Sequence, residues 1–563
     1  MFRIAFAAFL SAAPLMAQHL VTDKPLCSSC PAPEGEKVLI RCAKGLVLVS
    51  DPKDLLKGKE LDQFEGFRAI CLDVPGSSER LAVALESLYL GKDLTRSSID
   101  EIKAAVAEYY RGKNFPLVRV EVPKQDVTSG VLQLVVLESR LGCLSVEGGR
   151  WQWRDYLQKR VEMPLCEPID ESRLSQNLSF LNKNPFRRVD AIYAPGTEKG
   201  TTDLILAVED RRPFRFYSGV DNTGVDPTGR NRFFAGFNGT WVYWQTDHIF
   251  SYQYSADLDF HKFQAHTADY MLLLPWKHSL RAYGGVTFVH PDLFLTGLEN
   301  KGFSAQVSGR YSIPLTQWRS LVQDVSFGYD FKRTDNTFNV AELNFRGGTL
   351  VNLSQFMMGY SGSYQTQTAK LSFVGELFYS PGKMVADQSD KNFNKLQPGA
   401  VNDYFYGRAM IGYLQRLPYS CSLSLILRGQ LSNKILLPSE ELGIGGYDTV
   451  RGYEERQINK DDAMIANLEF RSPPLSIAKA ISKNTKVKDA IEFLAFFDAG
   501  FGSYADPIAF QPDMEYLMGI GPGVRYTLDP YLACRLDWGF KLHHKDLYGG
   551  GFSMLHFSVV GSY

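Results

Sequence analysis

The sequence predicts a transmembrane antiparallel β-barrel of about 16 strands preceded by two small α+β modules. Three observations carry this. From 214 to 563 only strand-like segments appear, alternating apolar and polar residues with a period of two. Such alternation describes strands standing between lipid and a wet lumen. The joins between them alternate in length: PWKH, PLTQ, LPYS and LDP are tight turns, whereas the joins containing 291–301, 381–402 and 436–460 are long. Past residue 17 no apolar run is long enough for a transmembrane helix, and a closed barrel is the other fold that crosses a bilayer with its backbone bonded. Aromatic content of 13%, 48 glycines and a net charge of -1 over 563 residues suit a barrel with aromatic girdles and argue against a nucleic-acid partner.

Taken in order, the chain opens with Arg3, an apolar run over 4–10 and small residues to Ala17. That reads as a signal peptide over 1–17, its apolar core too short to span a bilayer. Residues 18–63 are an irregular segment or linker with Pro25, Pro31 and Pro33 and a short helical stretch at 54–61. Residues 64–141 read strand, helix, helix, strand, strand. The first helix covers 78–88, and Ser97 and Ser98 cap a second with Ile99, Ile102, Ala105, Val106 and Tyr109 at helical spacing. Residues 142–212 repeat that order, with helices around 153–161 and 171–181 and strands at 189–193 and 202–208. The barrel fills 213–563, with clear alternation at 303–313 and 532–540. One departure is 472–489, a longish, Lys-rich segment where a short turn is expected. The last strand turns Leu555, Phe557, Val559, Gly561 and Tyr563 to one face.

The long loop 436–460 contains Val450, Arg451, Gly452 and Tyr453. In a later strand Phe493, Ala495 and Phe497 share the apolar face, which turns Glu492 and Asp498 to the lumen. A glycine-rich-loop arginine and an inward aspartate form a candidate ion pair; taken alone, Arg451 reads more simply as one solvated loop charge among many. Glu469, Arg471 and Arg428 line the same lumen, as befits a water-filled barrel. No GxxxxGK[ST], HExxH or GxSxG appears, so the reading is not an enzyme and takes no cofactor. His543 and His544 lack acidic neighbours at ligand spacing, so no metal site is assigned. The eight cysteines, Cys27, Cys30, Cys42, Cys71, Cys143, Cys166, Cys421 and Cys534, follow a signal peptide, so disulfides are expected by default. Cys421 and Cys534 fall on apolar strand faces and read as small hydrophobes.

GGYDTVRGYEER at 445–456 and FLAFFDAG at 493–500 resemble the lumen-loop and strand motifs of two-partner secretion transporters, the haemolysin secretion/activation family. YYRGKNFPLVRVEVPKQDVTSGVLQLVVLESRLG at 109–142 resembles the first polypeptide-transport-associated (POTRA) domain of that family. LSFLNKNPFRRVDAIYAPGTEKGTTDLILAVED at 178–210 resembles its second. The resemblance implies two α+β POTRA domains before the barrel, a loop folded into the lumen, and an Arg451–Asp498 contact. It also implies an outer-membrane location with the POTRA domains in the periplasm. A large exoprotein, bound unfolded, would be the partner, exported without ATP. Phe557 and Tyr563 resemble the signal read by the barrel-assembly machinery, and the outer face would meet outer-membrane lipid. The family often plugs its pore with an N-terminal helix, but 18–63 carries no clear amphipathic period for one. The alternatives are an insertase of the same superfamily, which carries more POTRA repeats than two, a passive porin, which needs no tandem module, and a soluble all-β lectin or enzyme.

Overall fold

The computed structural model of the chain describes residues 37–151, 154–198, 200–291, 298–317, 321–340, 345–482, 487–507, 514–543 and 551–563. The stretch 1–17 read as a signal peptide, Cys27, Cys30 and His544 lie outside these. The chain divides into two compact units, one running to 142 with 165–171 and 196–202, the other holding the remainder.

The first unit is built on a four-stranded sheet. Its strands are β1 (Gly45–Val49), β2 (Gly66–Ile70), β3 (Val118–Glu121) and β4 (Val131–Glu138), in the order β2-β1-β4-β3. A short helix α1 (Lys59–Asp62) precedes β2, and α2 (Ser78–Tyr89) and α3 (Arg96–Gly112) follow it. Leu81, Leu85, Ile102 and Val106 of the two long helices pack on Leu46, Leu48 and Leu134. On the sheet's other face Val47 and Val49 meet Leu61, Phe64 and Val135. β1 therefore lies inside the 18–63 segment predicted as linker. It runs parallel to both neighbours and is buried on both faces. Such a strand reads as a continuous apolar run, GLVLV, with no alternation to mark it. A second difference concerns the α3 cap. Thr95, two residues before the predicted Ser97, has the extended cap conformation, and its hydroxyl accepts from the Ser98 amide.

The second module follows as β5 (Arg140–Gly148), α4 (Arg154–Arg160), α5 (Glu171–Leu181), β6 (Arg187–Pro195) and β7 (Thr201–Asp210), with sheet order β5-β7-β6. Within the second unit its helices pack on the rim of the barrel. Arg187 grips Asp247 with Nη1 at 2.9 Å and Nη2 at 2.5 Å, both side chains wholly buried. The Tyr156 hydroxyl donates to the same carboxylate at 2.8 Å. Burial and that charge push the tyrosine pKa up to about 12. Arg160 donates to the carbonyls of Pro275, at 2.7 Å, and Gln245 in two rim turns, and Lys183 pairs with Asp324 at 2.8 Å.

The barrel begins with β8 (Phe214–Asp221), β9 (Arg232–Tyr243), β10 (Thr246–Asp257), β11 (Phe263–Leu273) and β12 (Ser279–Val289). Then come β13 (Leu298–Pro314), β14 (Leu321–Val340), β15 (Phe345–Gln365), β16 (Ala369–Pro381), β17 (Asp403–Arg416) and β18 (Ser422–Ser432). β19 (Leu442–Ile444) and β20 (Ile458–Lys460) pair only with each other. β21 (Asp462–Arg471), β22 (Asp489–Ser503), β23 (Glu515–Leu528), β24 (Leu532–Lys541) and β25 (Ser553–Ser562) complete the wall. Sixteen strands close into one antiparallel cylinder, the last pairing with the first across the register Ser558↔Asp221 to Ser562↔Tyr217. Trp244, Trp276, Tyr419 and Tyr531 stand exposed at the short turns, where amphipathic rings suit the headgroup level. The loop before β17 carries α6 (Asp390–Leu396). Within the Lys-rich departure, α7 (Ile477–Ile481) has its first amides bonded to Asp489 at 2.8 and 3.0 Å. Cys421 and Cys534 are free thiols, in keeping with their reading as small hydrophobes; Cys71, Cys143 and Cys166 are free as well, so the default expectation of disulfides fails for these three. In the first module apolar packing builds the core without them.

Candidate functional site

The loop 436–460 folds into the barrel as a hairpin whose stem is β19 and β20. Two glycines, Gly445 and Gly446, turn the chain at φ 108° and 109°. The Gly446 amide closes on the Val450 carbonyl at 3.1 Å, presenting the four residues Val450 to Tyr453 as the tip. Val450 is buried among Ile444, Ile458, Ile465 and Leu517, which fixes the tip against the wall by apolar contact.

Arg451 and Asp498 are brought together. The guanidinium donates to the carboxylate through Nε at 2.7 Å and Nη2 at 2.9 Å, and the Arg451 amide adds a third bond at 3.1 Å. This fork is the geometry in which arginine exceeds any other cation. Nη1 reaches Glu469 at 2.6 Å and Asp537 at 3.4 Å. The guanidinium carbon lies 3.6 Å from the Phe496 ring centroid, so one face is covered by a π-surface. Asp498 is fully buried and also accepts from Asn467 at 2.8 Å. Around this core Arg471 pairs with Glu469 at 2.7 Å, Arg525 and Arg535 pair with Asp537 at 2.7 and 2.8 Å, and Arg535 reaches Asp448 at 2.9 Å. Buried charges demand this pairing, because a lone one is costly.

The neighbouring tip residues are seated through backbone and ring contacts. The Gly452 amide donates to His556 Nε2 at 3.0 Å. At φ +100° this position favours glycine. The wall facing it is bare by design of sequence. A Cβ on Gly539 would lie 2.3 Å from the Gly452 nitrogen, and one on Gly519 would lie 2.1 Å from the Arg451 carbonyl oxygen. The Tyr453 hydroxyl donates to the Met518 carbonyl at 3.0 Å and to the His543 carbonyl. His543 itself stacks on Tyr516 with ring centroids 4.1 Å apart, and among the described residues no cluster suited to a metal ion occurs. Asp537, Asn467, Phe496 and His556 were not among the predicted site residues. Their signal was parity: Phe496 and Asp537 sit on the inward register of their strands, opposite the outward-facing, exposed Phe497 and Trp538.

Phe557 and Tyr563 lie at the closing seam, remote in sequence from the tip. The Phe557 amide donates to Asn222 Oδ1 at 2.9 Å. Tyr563 and Phe216 exchange backbone bonds of 2.9 and 3.0 Å, and Arg212 lies 5.1 Å from the Tyr563 ring.

Residues 200–526 match the family described as haemolysin secretion/activation protein ShlB/FhaC/HecB, and residues 74–139 match the ShlB-type POTRA domain. The heme/hemopexin transporter protein HuxB of Haemophilus influenzae is 23% identical over 445 residues, 76% of this chain and 73% of that one. The outer membrane transporter CdiB of Dickeya dadantii is 22% identical, covering 67% of each. Among solved structures, CdiB from Escherichia coli superposes with TM-score 0.72 at 16% identity, covering 100% of this chain and 96% of its own. CdiB from Acinetobacter baumannii gives 0.64 at 17%, again over 100% and 96%. A POTRA match, a closed sixteen-stranded barrel and a family match over more than half its length converge: the chain belongs to the haemolysin secretion/activation protein family, the outer-membrane transporters of two-partner secretion.

Proposed function

We propose that this outer-membrane translocator takes its exoprotein unfolded at the POTRA modules and passes it through a lumen gated by the 436–460 hairpin. Membership of the family makes it an outer-membrane transporter serving an exoprotein, with its POTRA modules in the periplasm. The finer steps are our reading. Extended segments of the partner add to an open sheet edge, β2 or β3 in the first module and β5 or β6 in the second. Folding on the far side, rather than nucleotide hydrolysis, draws the chain outward. The barrel-assembly machinery reads the last strand through Phe557 and Tyr563, and the outer face rests in outer-membrane lipid.

The observation that carries the gate is the Arg451 clamp, a buried ion-pair attachment at the tip of an inserted hairpin. Ion pairs with several alternative partners can be exchanged, which suits a plug that must leave and return. The test is Arg451→Ala in the full chain, with exoprotein measured in medium and periplasm and barrel integrity read by heat-dependent gel mobility. Export is expected to fall at least about tenfold with the barrel intact, since removing one partner of a buried pair costs several kcal/mol. Export at the parental level refutes the gate.

A further inference from the structure

The hairpin touches the wall at more than its tip. Glu440, in the limb leading from β18, is fully buried. Its Oε1 pairs with Lys332 Nζ on β14 at 2.6 Å. Its Oε2 accepts from the Tyr406 hydroxyl on β17 at 2.7 Å and from Gln355 Nε2 on β15 at 3.0 Å. Even its carbonyl is used, by Arg408 at 2.7 Å and Gln430 at 3.0 Å. Beside it Leu436 and Leu437 pack into an apolar cluster with Tyr404, Phe393 and Leu353. The returning limb is fixed too: Lys460, buried, pairs with Glu515 on β23 at 2.7 Å and lies 3.8 Å from the Tyr504 ring centroid. Asp461 ties the limbs together by accepting from the Leu436 amide at 2.8 Å.

Tip and base differ in what departure would leave behind. When Arg451 leaves, Asp537 keeps Arg525 and Arg535, Glu469 keeps Arg471, and Asp498 keeps Asn467. Two of the three carboxylates thus keep a cation, while Asp498 keeps a hydrogen bond but no ion pair among the described residues. At the base the only salt bridge the described residues give Glu440 is Lys332, and detaching it would strand a carboxylate and an ammonium while exposing the apolar cluster. Releasing the tip uncovers Ile465 and Leu517 and takes the cation from Asp498, whereas releasing the base breaks two ion pairs, Glu440–Lys332 and Lys460–Glu515, and opens the larger cluster around Tyr404, so the tip is the easier end to free.

We propose that Glu440–Lys332, with Lys460–Glu515, is a fixed hinge, and that the gate opens by swinging the 442–458 hairpin about it rather than by withdrawing the whole loop. Glu440 and Lys332 are positioning residues, and the inference rests on the reading that the hairpin gates export. A reversible tether separates the two. In the full chain, K332C/E440C is joined by a short, reducible bis-thiosulfonate linker, and D448C/R535C is joined likewise at the tip. The linked base pair is expected to export at no less than about half the parental rate. The linked tip pair is expected to export at least about tenfold less, recovering on reduction. A linked base that blocks export tenfold overturns the hinge. A linked tip that exports freely instead overturns the gate reading. If the base cysteines do not assemble, Lys332→Met, Glu440→Gln and their double variant decide the matter by planar-bilayer conductance. Raised open-channel occupancy that is no larger in the double than in either single supports the hinge. Parental conductance, or effects that multiply, overturn it.

Discussion

Arg451 offers Asp498 three nitrogens and covers a phenyl ring with its remaining face. Charge alone does not reproduce that. Arg451→Lys keeps the cation but loses the planar fork, so export is expected to fall nearly as far as with alanine, measured as exoprotein in the medium. The bare wall is equally demanding. Gly539→Val would drive a branched side chain into the Gly452 backbone, at a cost of about 1–3 kcal/mol or displacement of the tip. Raised conductance with normal barrel mobility is the expected result, and parental conductance would show that the seat yields. At this scale the sequence disclosed Arg451 and Asp498 because a motif and strand parity both marked them. Asp537 and His556 stayed hidden because they reach the tip from 86 and 104 residues away, and nothing local distinguishes them from other inward polar residues.

Elements were legible where their pattern was periodic. The barrel strands alternate and the helices show a 3.6-residue spacing, so most were visible. β1 was not, because parallel pairing on both sides erases alternation. Contacts between elements left no trace in sequence, and the joint between the second module and the rim is the clearest case. Arg187→Met would leave Asp247 buried beside a lone tyrosine and asparagine, a loss of about 3–5 kcal/mol. Limited proteolysis is expected to cut the module from the barrel faster in that variant, and an unchanged rate would mean that Arg160 and Lys183 hold the joint alone. At the other end, F557A/Y563A is expected to reduce the assembled barrel severalfold, scored by heat-dependent mobility against total protein, since both residues lie on the seam. Normal assembly would free these two aromatics of an insertion role.

The whole molecule followed from counting. About sixteen alternating segments with short and long joins leave a closed cylinder as the solution that satisfies every backbone group in lipid, and the closed sheet bears that out. What counting did not supply was the filling. Because the hairpin and its anchors occupy part of the lumen, the resting protein is expected to give small, flickering currents in planar bilayers. A large steady current would favour a passive pore. The closing register raises one further point. β8 finds its second neighbour only in β25, so that Asn222 waits for Phe557, 335 residues downstream. Until β25 is in place, the first barrel strand carries a naked edge, and such edges recruit strangers. An unclosed barrel is therefore expected to pair wrongly through β8 unless that edge is covered until β25 arrives.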